Sequence, residues 1–211
     1  MRTRALLLGT VLMAACATGP GGPQVDSRGV VVVGSDASDG RLGAVREAVD
    51  FWNGEFARLD LQPPFGAVRF VPMDFSEELL ASYSQAVLEG GRRPRLPDRV
   101  LELPGQFVIV LSDSPIISFA ASLGRGDRWL VGIRTDQVPP LSLPNVPRNL
   151  VAHELGHTLG LGHNSDPTKL MCGRPALCRP GEFRSDESRF FELTPEELRR
   201  LSGIHGLIAH D

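Results

Sequence analysis

The sequence predicts a single α+β domain, and three observations indicate this class. Runs of β-branched or apolar residues of strand length alternate with segments whose apolar residues recur at helical spacing. Two of the apolar runs flank a Gly-rich turn, as in a β-hairpin. The 211 residues, of which 42% are hydrophobic and 22% charged, are enough to bury one sizeable core.

The first half of the domain alternates strands and helices. Residues 30–33 are a continuous β-branched run, which predicts a buried strand, and residues 41–59 follow with apolar side chains at helical spacing. Residues 67–71 predict a second strand, and residues 77–88 a second helix. A loop rich in Gly, Arg and Pro is expected over residues 90–99.

The second half adds three strands and a helix. Strands are predicted over residues 107–111, 116–123 and 129–134, the last two joined by the Gly-rich turn. Residues 146–161 have a helical pattern of apolar side chains. Glycines end this pattern, and Gly160 is the first of them.

The last helix has a strong start signal. Thr194 is a capping residue, Pro195 occupies the first helical position, and two glutamates follow in the first turn. We expect this helix to extend to about Leu201.

Charge and composition exclude several function classes. The formal net charge is −3, whereas attraction to phosphates needs a concentrated basic surface, so no nucleic-acid partner is expected. The 23 glycines and 17 prolines follow no period, which excludes a collagen-like chain or a repeat array. We expect a monomer.

The N-terminus has the layout of a secretory signal peptide. Two arginines precede an apolar run over residues 5–15, which is too short to span a bilayer. Residues 1–17 are therefore predicted to be a signal peptide and the protein to be exported. Residues 18–28 are rich in Gly and Pro and predict a flexible linker, so the folded domain is expected over residues 29–211.

The end of the signal allows two kinds of processing. The string Leu-Met-Ala-Ala-Cys over residues 12–16 resembles a bacterial lipobox, in which Cys16 becomes the lipidated first residue of a membrane lipoprotein in the periplasm or on the cell surface. Membrane contact would then depend on this lipid anchor alone. The alternative is ordinary cleavage after Ala17 and secretion.

The segment from residue 153 to residue 163 carries metal-binding chemistry. His153 and His157 are four residues apart, so on a helix both imidazoles face the same ion. Gly160 lets the chain turn out of the helix, most simply with positive φ, and His163 then returns as the third ligand. Three protein ligands leave a fourth position open for water, which is typical of a catalytic zinc site.

Glu154 follows the first histidine and points beside the ion. We expect zinc to lower the pKa of its water, and Glu154 to accept the proton as general base and return it to the leaving amine during peptide hydrolysis. The alternatives are a purely structural zinc and histidines that only pack. Chance is an unlikely source of the spacing, because its glycine and third histidine make the pattern very rare.

This segment resembles the elongated zinc signature of the metzincin metalloproteases. Met171 falls where the matrixin branch places its Met-turn, and the helix start at Thr194 resembles that branch's last helix. The resemblance implies a metzincin-like zincin domain, with a twisted mixed sheet, an active-site helix beneath it and a C-terminal helix. It implies one catalytic zinc in a cleft along an edge strand; calcium has no support from the residues.

The resemblance also implies the manner of substrate binding. A protein or peptide substrate would lie extended and pair with an edge strand, either 116–123 or 129–134. The residues after Met171 depart from the matrixin pattern, so substrate preference is not carried over, and a cell-wall peptide is another candidate substrate. The alternative function is a non-catalytic, zinc-containing lipoprotein that binds peptides, although such a module would not need Glu154.

Cys172 and Cys178 form an even pair once Cys16 is assigned to processing. They lie six residues apart in a Gly- and Pro-containing loop of an exported protein, which predicts a disulfide. Free thiols and ligands of a second metal are the alternatives, but no histidine lies within that loop.

Overall fold

A computed structural model describes residues 26–124, 127–137, 142–143, 145–173 and 189–206. They form a five-stranded sheet with helices on both faces. The strands are β1 (Asp26–Gly34), β2 (Val68–Pro72), β3 (Gly105–Leu111), β4 (Phe119–Ser122) and β5 (Trp129–Ile133), and the helices are α1 (Gly40–Arg58), α2 (Glu77–Glu89), α3 (Asp98–Leu101), α4 (Asn145–Thr158) and α5 (Pro195–His205).

The strand order is β2-β1-β3-β5-β4. β4 runs antiparallel to β5, whereas the other neighbouring pairs are parallel, so the predicted α+β class with a mixed sheet is confirmed. β5 lies between β3 and β4. The expectation that residues 129–134 offer a free edge is therefore wrong, because β3 occupies the far side of β5, and β4 is the edge strand at this end.

Both faces of the sheet are covered, which explains the uninterrupted apolar run in β1. Val30 and Val32 join the core formed with α1, α4 and α5, whereas Val31 and Val33 join the core formed with α2. α4 packs against α1 and against β4 and β5. The predicted active-site helix thus lies under the end of the sheet that terminates in the edge strand.

Some boundaries differ from the predicted ones because distant residues bond there. β1 begins at Asp26, inside the predicted linker, since Asp26 pairs with Gly105 of β3. β4 is shorter than predicted at its start. The Ile117 carbonyl accepts a hydrogen bond from Ser84 Oγ at 2.6 Å, and the Ser118 hydroxyl accepts one from the Arg134 main chain, so these residues leave the strand ladder.

Two helical segments also exceed the sequence expectation. The one-turn helix α3 occupies the end of the predicted loop, where Pro97 is the N-cap and Asp98 lies in the first turn. α5 continues one turn beyond Leu201 to His205, whose ring bonds to the Leu159 carbonyl at 3.1 Å.

Several sequence predictions fall outside the described residues. These include the signal peptide, the lipidated Cys16 and most of the linker, as well as Cys178, the partner predicted for Cys172. They remain predictions. Within the described part of the chain, no helix combines the length and apolar character needed to cross a membrane.

Candidate metal centre

Helix α4 is fixed by its buried face. Val151, Ala152 and Leu155 are fully buried, and Trp52 Nε1 of α1 donates a hydrogen bond to the Ala152 carbonyl at 2.9 Å. These contacts hold one side of α4 against the core. The opposite side, which carries His153 and His157, is partly exposed.

The structure brings the three predicted histidines together. The candidate ligand atoms of His153, His157 and His163 all lie within 4.8 Å of one another, and the Nε2 atoms of His157 and His163 are 3.1 Å apart. The turn that returns His163 to the helix passes through Gly160, whose φ is +89°. The expected positive φ at Gly160 is confirmed, and a side chain there would be strained.

Main-chain carbonyls orient two of the rings. His153 Nδ1 donates to the Leu170 carbonyl at 2.8 Å, and His157 Nδ1 donates to the Leu161 carbonyl at 2.9 Å. Because a carbonyl only accepts, each Nδ1 carries the proton and each Nε2 keeps its lone pair for a metal. Burial also lowers the pKa values of His157 and His163, which favours the neutral imidazole that binds zinc.

Gly173, two residues after Met171, lies directly against the His163 ring. A Cβ built on Gly173 would lie 2.2 Å from Cγ of the His163 ring, so any side chain at residue 173 would displace the ring. Met171 is fully buried, with its Sδ 2.5 Å from the position that a Cβ on Gly156 would take. It thus packs directly against α4 between its two histidines. Three imidazoles converging on one point fit a zinc ion.

Helix α5 is tied to the loop that carries His163. Asn164 Nδ2 donates to Glu197 Oε1 at 2.7 Å, while Glu197 Oε2 accepts from the Thr194 main chain in a capping box. Asn164 also accepts, through its carbonyl, a hydrogen bond from the Gly173 amide at 3.1 Å. The helix start predicted at Thr194 therefore also anchors the loop that carries His163.

Glu154 lies beside the histidines in a nearly dry position. It is 6% exposed, and burial raises the pKa of its carboxyl to about 8. Together with His157 and His163 it lines a cavity of about 680 Å³ that extends to Phe119 and Ala120 of β4. The carboxyl thus faces the space between α4 and the edge strand.

Sequence reasoning missed other residues of this site. Leu150, Trp129 and Arg134 line the same cavity, but they come from different elements and share no spacing that could have identified them. Asn149 is fully buried and bonds through its side chain to the main chain of Arg189 and Phe191. The feature of the sequence that could have identified Asn149 is its polar side chain within a predicted buried helix.

The known proteins that resemble this chain do so distantly. No family model and no curated protein matches the sequence. Similar solved structures are an archaemetzincin from Methanopyrus kandleri (17% identity, TM-score 0.47, covering 88% of this chain and 98% of that one), a zinc-dependent peptidase from Methanocorpusculum labreanum (14%, 0.41, 82% and 99%) and metalloproteinase-II from Bacteroides fragilis (13%, 0.43, 86% and 54%).

Proposed function

We propose that this protein is a zinc-dependent endopeptidase of the metzincin type, with Glu154 as its general base. One observation carries the proposal. The donor atoms of His153, His157 and His163 converge within 4.8 Å beside the buried Glu154 carboxyl, at the wall of a cavity that reaches the edge strand.

The chemistry divides between metal and protein. His153, His157 and His163 would hold a zinc ion, which would supply Lewis acidity to polarise the scissile carbonyl and to lower the pKa of water. Glu154 accepts a proton on its carboxylate from the attacking water and then donates it to the leaving nitrogen. Because burial raises the pKa of Glu154, its ionised form would depend on the positive charge of a zinc ion bound to the neighbouring histidines.

The edge strand is the proposed substrate platform. In the described part of the chain β4 pairs with β5 alone, so its outer edge has main-chain groups to offer. An extended peptide that adds to this edge would place its backbone along the cavity containing Glu154. The substrate class is therefore a protein or peptide segment bound in extended form.

The finer assignments are also part of the proposal. Membership of the matrixin branch is supported by the spacing of Met171 and the helix start at Thr194. Export is supported by the N-terminal pattern, with lipidation at Cys16 and a disulfide between Cys172 and Cys178. Mass spectrometry of the mature protein without reduction tests both modifications, since an unmodified Cys16 or two alkylatable thiols would contradict them.

The function is tested by Glu154→Gln. We expect kcat for a cleaved peptide to fall roughly 10²- to 10⁴-fold, the usual contribution of a general base, while zinc content and thermal unfolding stay near wild type. A chelator should abolish wild-type cleavage and added zinc should restore it. Glu102→Gln, at an exposed residue far along the chain, is the matched control and should cleave normally.

Two outcomes would contradict the proposal. If Glu154→Gln cleaves as fast as wild type, the general base is assigned wrongly. If the zinc-loaded wild type cleaves no member of a broad peptide library, the non-catalytic peptide-binding function becomes the better account.

A further inference from the structure

The cavity beside the candidate metal centre contains a cation that the peptidase mechanism does not use. Arg134 follows β5 and lines this cavity with Glu154, His157 and His163. Among the described residues that line it, Arg134 is the one arginine or lysine. Its positive charge therefore lies in the space where a substrate would bind.

The backbone of Arg134 is firmly held. Its amide donates to Ser118 Oγ at 3.1 Å, and its carbonyl accepts a hydrogen bond from Arg41 Nη1 at 3.0 Å. Arg41 is itself only 3% exposed and is paired with Asp39 at 2.6 Å. The start of the Arg134 side chain is thus fixed relative to the sheet.

The guanidinium of Arg134, in contrast, has no bonding partner among the described residues. Its Nε is buried without a hydrogen bond, and no described carboxylate forms an ion pair with it. Other inward-facing arginines differ from it. The Nε of Arg148 is also buried without a hydrogen bond, but it forms an ion pair with Glu47 at 3.1 Å. Arg41 pairs with Asp39, and Arg128 donates to the carbonyls of Gly105 and Leu103. Arg134 is partly exposed, but its Nε is shielded from water, and leaving a buried donor unpaired is costly, so packing alone does not account for Arg134.

We propose that Arg134 binds a carboxylate of the peptide substrate. This inference rests on the proposed peptidase function and deepens it by naming a substrate feature. A guanidinium matches a carboxylate with two parallel hydrogen bonds, and the partial burial of Arg134 strengthens such a pair. The carboxylate is either an acidic side chain or the C-terminus of the peptide, because both present the same group.

The test uses one peptide without acidic residues in three forms. The first form is this parent peptide with a C-terminal amide, and the second has a free C-terminal carboxylate. The third has a C-terminal amide and one added glutamate, which is placed at each position of the peptide in turn. We expect the wild type to prefer the second form or one version of the third by roughly 10- to 100-fold in kcat/KM, the usual range for a hydrogen-bonded charged pair. Which form is preferred identifies the source of the carboxylate.

Arg134→Met keeps the apolar stem and removes the charge. It should abolish the preference by lowering kcat/KM more for the carboxylate forms than for the amide form, and Arg134→Lys should keep part of the preference as a point charge. Arg58→Met, at an arginine whose side chain is 76% exposed on α1, is the matched control and should keep the preference. Equal losses for all three peptide forms in Arg134→Met, or no preference in the wild type, would overturn the inference.

A binding measurement separates this inference from the proposed function. If the zinc-loaded wild type cleaves none of the peptides, the peptidase proposal fails, and calorimetry with the same three forms then decides the role of Arg134. Tighter binding of a carboxylate form that is lost in Arg134→Met would support it. Equal binding of all forms, or binding of none, would overturn it.

Discussion

The two walls of the cavity satisfy their polar groups in different ways. On the histidine wall, residues 153–173, ring nitrogens donate to main-chain carbonyls and Asn164 bonds to α5. The strand wall consists of residues 117–120 and Arg134. On this wall, the outer side of β4 pairs with no other described strand, and the Arg134 guanidinium has no described partner. Internal bonds thus orient the histidine wall. The strand wall has internal bonds at Ile117 and Ser118, but the outer edge of β4 and the Arg134 guanidinium have no described partner.

The largest effect is expected on the histidine wall itself. Replacing groups that only orient a ligand costs about 10- to 100-fold in metal affinity or activity, so losing the ligand in His157→Ala should cost more than about 100-fold. Zinc content and peptide cleavage should fall together. His205→Gln is the control, because that ring bonds to the Leu159 carbonyl away from the cluster. Undiminished zinc in His157→Ala would contradict the account.

A smaller loss should follow when a ligand is displaced rather than removed. In Gly173→Ala the new Cβ would lie 2.2 Å from the His163 ring, so the ring must shift, and we expect zinc affinity to fall about 10- to 100-fold. The matched control is Gly162→Ala, next to His163 in sequence, where a Cβ would meet nothing within 4 Å. Competition with a metal chelator measures both affinities, and equal values would show that His163 does not bind the metal.

The buried carboxyl should give the metal-free protein a distinctive pH dependence. Burial raises the pKa of Glu154 from 4.5 to about 8, so between these values the unfolded chain has released a proton that the folded chain keeps. The free energy of unfolding therefore falls as pH rises through this window, by roughly 1.4 kcal/mol for each unit of pH, a loss that Glu154→Gln avoids. Thermal unfolding with chelator should show wild type losing stability relative to Glu154→Gln, and parallel curves would exclude a buried neutral carboxyl.

The tie between the histidine wall and α5 should have the smallest effect on zinc binding. Asn164→Ala removes a hydrogen bond to the Glu197 carboxylate, a kind of bond worth about 1.5 to 3 kcal/mol. Denaturant unfolding should show that loss, and zinc affinity should weaken because the same loop carries His163. Ser165→Ala, at an exposed neighbour, is the control. Unchanged stability in Asn164→Ala would mean that α5 does not support the loop.

The two walls also differ in how far the sequence could predict them. The histidines and Gly160 lie within eleven consecutive residues, so helix geometry and one positive φ are enough to place them together. The strand wall depends on which of two hairpin strands pairs with β3, and that pairing joins residues far apart in the chain. The hairpin was predicted correctly, but its outer strand was not determined by any local pattern.

Single contacts between distant residues were beyond prediction for the same reason. Asp26 extends β1 only because Gly105 lies beside it. The need for glycine at residue 173 comes from the close approach of the His163 ring, which no spacing in the sequence reveals. Arg134 belongs to no periodic pattern, and its importance appears only when the cavity and its missing partner are seen together.

Zinc K-edge X-ray absorption tests the central claim most directly. With one equivalent of zinc, the wild type should show three imidazole nitrogens at about 2.0 to 2.1 Å, one further oxygen ligand and no sulfur. His163→Ala should lose one of the three imidazole contributions. Sulfur at about 2.3 Å, which would make a cysteine such as Cys172 a ligand, or a spectrum unchanged in His163→Ala, would contradict the three-histidine centre.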